Sequence, residues 1–155
     1  MYKEKINLFI SHNGKDRGYM EPFKEMIGPA YYVRDSSLDE SEPNNANNEQ
    51  YIKYRIIAPK IDWAGTVAVL IGPKTHERDY VNWEIEYAIK HDKRIIGVFL
   101  PGAEDSDVPE GIEKYGDALV EWDADKVISA IDGDTVWQQS DGNPRPSVSM
   151  PRGVC

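Results

Sequence analysis

A chain of 155 residues, 40% of them apolar, carries enough hydrophobic material for one core and lies near the commonest size of a single domain. With 18 basic against 27 acidic residues its net charge is -9, so neither a nucleic acid nor an anionic membrane surface is an expected partner. The opening MYKEKINLFI lacks the apolar stretch and cleavage pattern of a signal peptide, and nothing later is long enough to span a bilayer. The single cysteine, Cys155, permits no internal disulfide and no paired metal site, which together predict a protein of the reducing cytoplasm.

Residues 6–10, INLFI, form a short apolar run closed by the polar turn SHNGKD, which predicts a buried strand that opens into a loop. A helix is expected near Tyr19 to Ile27. AYYVR predicts a second strand, and it runs into DSSLDESEPNNANNEQ, where apolar residues nearly vanish and a mobile loop is expected. From Gln50 to Ile57 the pattern turns helical, with Pro59 as its end. TVAVLIG (66–72) and RIIGVFL (94–100) are the most strand-like segments, and the helical RDYVNWEIEYAIK (78–90) lies between them. A Gly/Pro/Asp loop, a weaker strand at ALVEW and a helix in DADKVISAI complete the alternation. Residues 133–155 carry three prolines and little periodicity, so the domain is expected to end near residue 132 and an irregular tail, packed through Trp137, to follow.

Continuous apolar strands separated by short helices predict an α/β fold whose parallel sheet is covered on both faces. Five such strands suit a flavodoxin-like three-layer sandwich in the order 2-1-3-4-5. That winding puts a ligand crevice between the carboxyl ends of strands one and three, beneath SHNGKD and the loop that opens at Gly72.

The segment 78–90 holds two glutamates, and helical geometry separates them. At about 100° per residue, Val81, Ile85, Ala88 and Ile89 form one stripe facing the sheet. Glu86 points away from it and reads as a solvated acid. Glu84 lies on the shoulder of the stripe, one turn after Tyr80, on the side that also carries Tyr87 and His91. The helix starts just after strand three, so Glu84 overhangs the expected crevice. There it is either a site residue or a complement to the positive end of its helix.

Hydrolysis of an ordinary sugar linkage takes one acid for the leaving oxygen and a second carboxylate on the opposite face, and no second acid is suitably placed on this helix. Cleavage between ribose and a pyridinium needs only one, because nicotinamide departs neutral without receiving a proton. That carboxylate holds the ribose hydroxyls and stabilises the positive charge that builds on the sugar as the bond stretches. Tyr80 and Trp83 either offer a flat face to a cationic pyridinium or pack against a neighbouring helix. The backbone N–H groups of Asn13 and Gly14, with Ser11, His12 and Lys15, either cradle a phosphate or form an ordinary polar turn. Asp35, Ser36 and Ser37 either reach a ribose or phosphate or cap the loop. His12 has no Cys or His at ligand spacing, so no metal is expected.

NLFISHNGKD, DSSLDE, GTVAVLIGPKTHERDYVNWEIEYAIKHDKRIIGVFLPG and DALVEW together resemble the Toll/interleukin receptor (TIR) domain superfamily, and more closely the bacterial TIR-like proteins of the Thoeris antiphage system, the ThsB kind. The most specific element is Asp79-Tyr80-Val81 followed by Glu84-Ile85. In enzymatic TIR domains the glutamate of that motif is the catalytic residue of NAD cleavage, so the resemblance assigns this role to Glu84. It implies NAD as a substrate rather than a resident cofactor, expulsion of nicotinamide, and cyclisation or transfer of the ADP-ribose to give a nucleotide messenger. A downstream effector would sense that messenger, and TIR–TIR contacts or a homo-oligomer would be the direct partners. Two departures stand out: Tyr80 occupies a position where many TIR NADases have tryptophan, and the Asn-rich loop from Leu38 to Gln50 does not match. A non-catalytic TIR scaffold and a nucleoside deoxyribosyltransferase-like enzyme are the alternatives. A response-regulator receiver is excluded, because it needs an acid pair after strand one and an aspartate after strand three.

Overall fold

The computed structural model describes residues 5–35, 50 and 52–145. Five strands, β1 (Ile6–Ser11), β2 (Tyr31–Asp35), β3 (Thr66–Ile71), β4 (Arg94–Phe99) and β5 (Ala118–Val120), form one parallel sheet in the order β2-β1-β3-β4-β5. This is the winding expected from the sequence. β3 sits at the centre and is buried at all six positions, and its alternation divides the core. Val67, Val69 and Ile71 point to one layer, while Ala68 and Leu70 point to the other.

Helices α1 (Met20–Ile27) and α5 (Ala124–Asp132) cover the second layer through Phe23, Ile27, Val127 and Ile131. Helices α2 (Ala58–Trp63), α3 (Asp79–Lys90) and α4 (Glu110–Tyr115) cover the first, through Ile61, Val81, Ile85, Ala88 and Ile112. Each fully buried aliphatic side chain in these layers contributes about 1.5–3 kcal/mol. The approach of α4 to α3 depends on Gly111, where a Cβ would lie 2.6 Å from Ile85 Cγ2.

Two local expectations need revision: the stretch between β4 and β5, expected as a Gly/Pro/Asp loop, contains the helix α4, and the part given to Pro59 changes. The predicted helix near Tyr19 is preceded by a 3-10 turn, Gly14–Tyr19, capped by the Asn13 side chain, which accepts from Lys15 N at 3.2 Å. Pro59 does not end a helix. A π-helical segment, Ile52–Ile57, runs straight into α2, and Pro59 occupies its first turn. Within this continuous helix Pro59 has no N–H to offer the preceding turn, and the wider π turn there eases the clash of its ring with the carbonyls behind it.

Beyond α5 the chain returns to the sheet edge. Leu119 N donates to Val136 O at 2.7 Å and Gln138 N to Leu119 O at 2.8 Å, so the segment after α5 pairs with β5. Trp137 packs against the α3-side core, and Arg145 pairs with Asp105 and Glu113. The expected mobile loop after β2, with Ser36, Ser37 and the Leu38–Gln50 mismatch, lies almost wholly outside the described residues, as does Cys155.

Candidate active site

β1 alternates, and its last residue decides what sits beneath α3. Leu8 and Ile10 face the α1 layer, so Phe9 and Ser11 face the α3 layer. Ser11 is fully enclosed, and its Oγ donates to Glu84 Oε1 at 2.6 Å. Glu84 is 1% exposed. It therefore lies deeper than the half-buried shoulder position that helical periodicity predicts. The difference arises because the polar end of β1 rises into the α3 layer and gives the carboxylate a buried donor, which a helical wheel cannot show. Glu86 is exposed, as its angle on the helix requires.

His12 follows on the other side of the strand end and joins β1 to β2. Its Nδ1 lies 2.9 Å from the Asn13 carbonyl oxygen and its Nε2 3.1 Å from Asp35 Oδ2. Both neighbours are acceptors, so both bonds form only when the ring carries two protons. Burial pulls the His12 pKa down, but the hydrogen bond to Asp35, the Asn13 carbonyl and the charges of Asp35 and Glu84 outweigh it and leave the value raised. A raised folded-state pKa gives stability that is complete below the ordinary histidine pKa and lost as pH rises through the folded one. The advantage of the wild type over His12→Gln in urea unfolding is accordingly expected to be largest near pH 5 and to shrink toward about pH 9. A difference that is constant with pH would refute the charged assignment.

The loops after β1 and β3 meet at Gly72. A Cβ on Gly72 would lie 2.5 Å from Asp16 Oδ2, so only glycine allows the Asp16 side chain to rest there. Gly72 N donates to Thr75 Oγ1 at 2.8 Å, and Lys74, in the left-handed region at φ 64°, donates its N–H to Asp107 Oδ1. Asp16 Oδ2 is buried and has no hydrogen-bond partner among the described residues. Its carboxyl pKa is raised, mainly by burial, with the His12 charge opposing and Asp107 reinforcing the shift. The expected crevice between β1 and β3 is thus occupied by Asp16 at the Gly72 position.

Tyr80 and Trp83, one helical turn apart, both pack partly against the α3-side core. Over both rings sits the Lys53 ammonium, 5.6 Å from the Tyr80 centroid and 5.7 Å from that of Trp83. Trp83 also meets Tyr54 edge-on at 5.6 Å and Tyr87 at 5.3 Å, and Tyr87 stacks on His91 at 4.0 Å. Burial and the hydrogen bond to Asp62 push the Tyr87 pKa up to about 12, so this ring stays neutral.

Among the sequence-derived candidates, the structure forms two pairs from consecutive residues of the β1 end, the buried Ser11–Glu84 and the partly buried His12–Asp35, with Asn13 as a helix cap. Gly14 is exposed and Ser36 lies outside the described residues. Asp16 and Lys53 were not singled out by sequence. Asp16 had the weak signal of standing three residues after the capping Asn13, whereas the position of Lys53 over the rings is set only by tertiary packing. Two clefts of about 370 Å³ lie elsewhere, one between α3 and α4 and one beside Arg34 and Trp63, and Glu84 lines neither. No group of three or more metal-ligating side chains occurs among the described residues, and no described helix is long and apolar enough to cross a membrane.

No curated protein matches the chain. The family model described as Thoeris protein ThsB, TIR-like domain, matches residues 9–105, more than half of the sequence and the part that holds Ser11, His12, Asp35, Gly72, Tyr80 and Glu84. With its 2-1-3-4-5 parallel sheet and the glutamate of α3 drawn in against β1, the chain belongs to the TIR-like domain family of Thoeris protein ThsB and is a TIR-type antiphage defence protein.

Proposed function

We propose that this protein cleaves the nicotinamide–ribose bond of NAD, with Glu84 as the catalytic carboxylate. The observation that carries this reading is the inward-turned Glu84, fixed by Ser11 at the carboxyl end of β1 beside the reversal point of the sheet. A carboxylate in such surroundings stabilises developing positive charge more strongly than one in water. In the reaction, the bond between the ribose C1′ and the pyridinium nitrogen breaks with its electron pair going to nitrogen. Nicotinamide leaves neutral, and Glu84 stabilises the cationic sugar until an acceptor attacks C1′. An acceptor within the ADP-ribose itself gives a cyclic messenger for the downstream effector, and water gives free ADP-ribose.

Glu84 is closed over in the conformation described, so turnover requires a second conformation that admits the ribose. This suits a resting enzyme awaiting an infection trigger, with assembly through TIR–TIR contacts as one route to it. Incubation of the protein with NAD in extract from phage-infected cells, followed by mass spectrometry of nicotinamide and ADP-ribose products, tests the reading. No release of nicotinamide under any such condition would remove it. Deoxynucleosides in the same assay distinguish a deoxyribosyltransferase.

The aromatic face makes a separate prediction. Lys53 holds its ammonium where a pyridinium would stack, so Lys53→Met is expected to tighten N-methylnicotinamide binding about two- to tenfold. Quenching of Trp83 fluorescence, identified by its loss in Trp83→Leu, reads this directly. Unchanged or weaker binding in Lys53→Met would show that the two cations do not compete.

A further inference from the structure

We infer that Ser11 is a positioning residue for the Glu84 carboxylate and does not act as a ligand for the substrate's phosphates. This inference rests on the NAD-cleaving reading of Glu84. Ser11 occupies the last position of β1, where its neighbour across the sheet is Val69 and the preceding residue on the same face is Phe9. Neither side chain offers a polar atom. A hydroxyl buried at 0% exposure among such residues requires a partner, and its proton is directed to Glu84 Oε1.

The distance of 2.6 Å lies in the range of a hydroxyl donating to a charged carboxylate, where the bond is about twice as strong as a neutral one. Glutamate has three side-chain torsions, and a carboxylate that must meet a sugar carbon cannot wander among them. Anchoring one oxygen on the rigid end of a central strand sets the direction of the other before substrate arrives. A phosphate ligand, by contrast, would need its hydroxyl proton free, and that of Ser11 is already committed to Glu84 Oε1.

Three substitutions separate positioning from packing. Ser11→Ala removes the donor, Ser11→Cys keeps the volume with a poor donor, and Ser11→Thr keeps the donor. NAD turnover is expected to fall about ten- to a hundredfold in kcat for Ala and Cys, with KM within about twofold and most activity restored in Thr. A rise in KM at unchanged kcat would make Ser11 a direct substrate ligand, and unchanged values of both would leave it without a role. Either result overturns the inference. A second measurement needs no turnover: the side-chain carboxyl ¹³C resonance of Glu84, assigned by its loss in Glu84→Gln, is expected to move in Ser11→Ala and Ser11→Cys. A resonance that stays in place overturns the inference even in a protein that never cleaves NAD. Absence of turnover in every variant and the wild type, with the resonance moved, instead tells against the NAD reading while leaving the Ser11–Glu84 link intact.

Discussion

Glu84→Gln is expected to abolish NAD-dependent product formation while leaving the fold intact. The amide has nearly the same shape and still presents an oxygen to Ser11 Oγ, so the buried bond between β1 and α3 survives with reduced strength. What disappears is the negative charge. A cationic sugar then has no counter-charge, and loss of one preorganised electrostatic group of this kind costs about 10²–10³ in rate. Glu86→Gln is the matched control, because Glu86 is exposed on the same helix and changes the same chemistry without touching the Ser11–Glu84 pair. The measurement is nicotinamide release by the three proteins under infection-like activation, with thermal melts run alongside. Equal release by wild type and Glu84→Gln would favour a TIR scaffold that acts through contacts between domains.

The second large effect is on the frame that holds the site. Phe9 is fully enclosed in β1, in ladder register with Arg34 on one side and Val67 on the other, and its ring belongs to the core layer under α2, α3 and α4. Truncation to alanine removes that ring and leaves a cavity that the central strands, held on both sides by ladders, relax into only partly. The expected cost is about 3–5 kcal/mol. Against a total stability of about 5–15 kcal/mol, this brings the domain close to unfolding at moderate temperature. Urea unfolding of Phe9→Ala against wild type reads the difference. A loss below about 1 kcal/mol would mean that the layer repacks freely, contrary to the dense packing of a protein interior. Ser11 lies two residues further along the same face, so any variant that survives is also expected to loosen Glu84.

The sheet order was legible because it depends on pattern. INLFI, TVAVLIG and RIIGVFL are short apolar runs separated by helical ones, and parallel strands buried on both faces produce that signature irrespective of detailed packing. The separation of the two glutamates was legible for the same reason, since a fixed rotation per residue sends Glu86 outward once Val81, Ile85 and Ala88 are directed inward. Pro59 misled because its effect depends on where in a helix it falls, and the π segment that accommodates it has no sequence signal of comparable strength.

Local periodicity, then, was enough to predict the strand order, most of the covering helices and the shoulder position of Glu84, all of which follow from residues a few positions apart. The short helix α4 and the full burial of Glu84 were not legible. Tertiary structure alone decided that Ser11 holds that carboxylate from 73 positions away, that His12 reaches Asp35, that Asp16 fills the space at Gly72, and that Lys53 lies over Tyr80 and Trp83. Each of these is a contact between elements distant in the chain, set by register and side-chain direction, and such contacts leave no periodic trace in a single sequence.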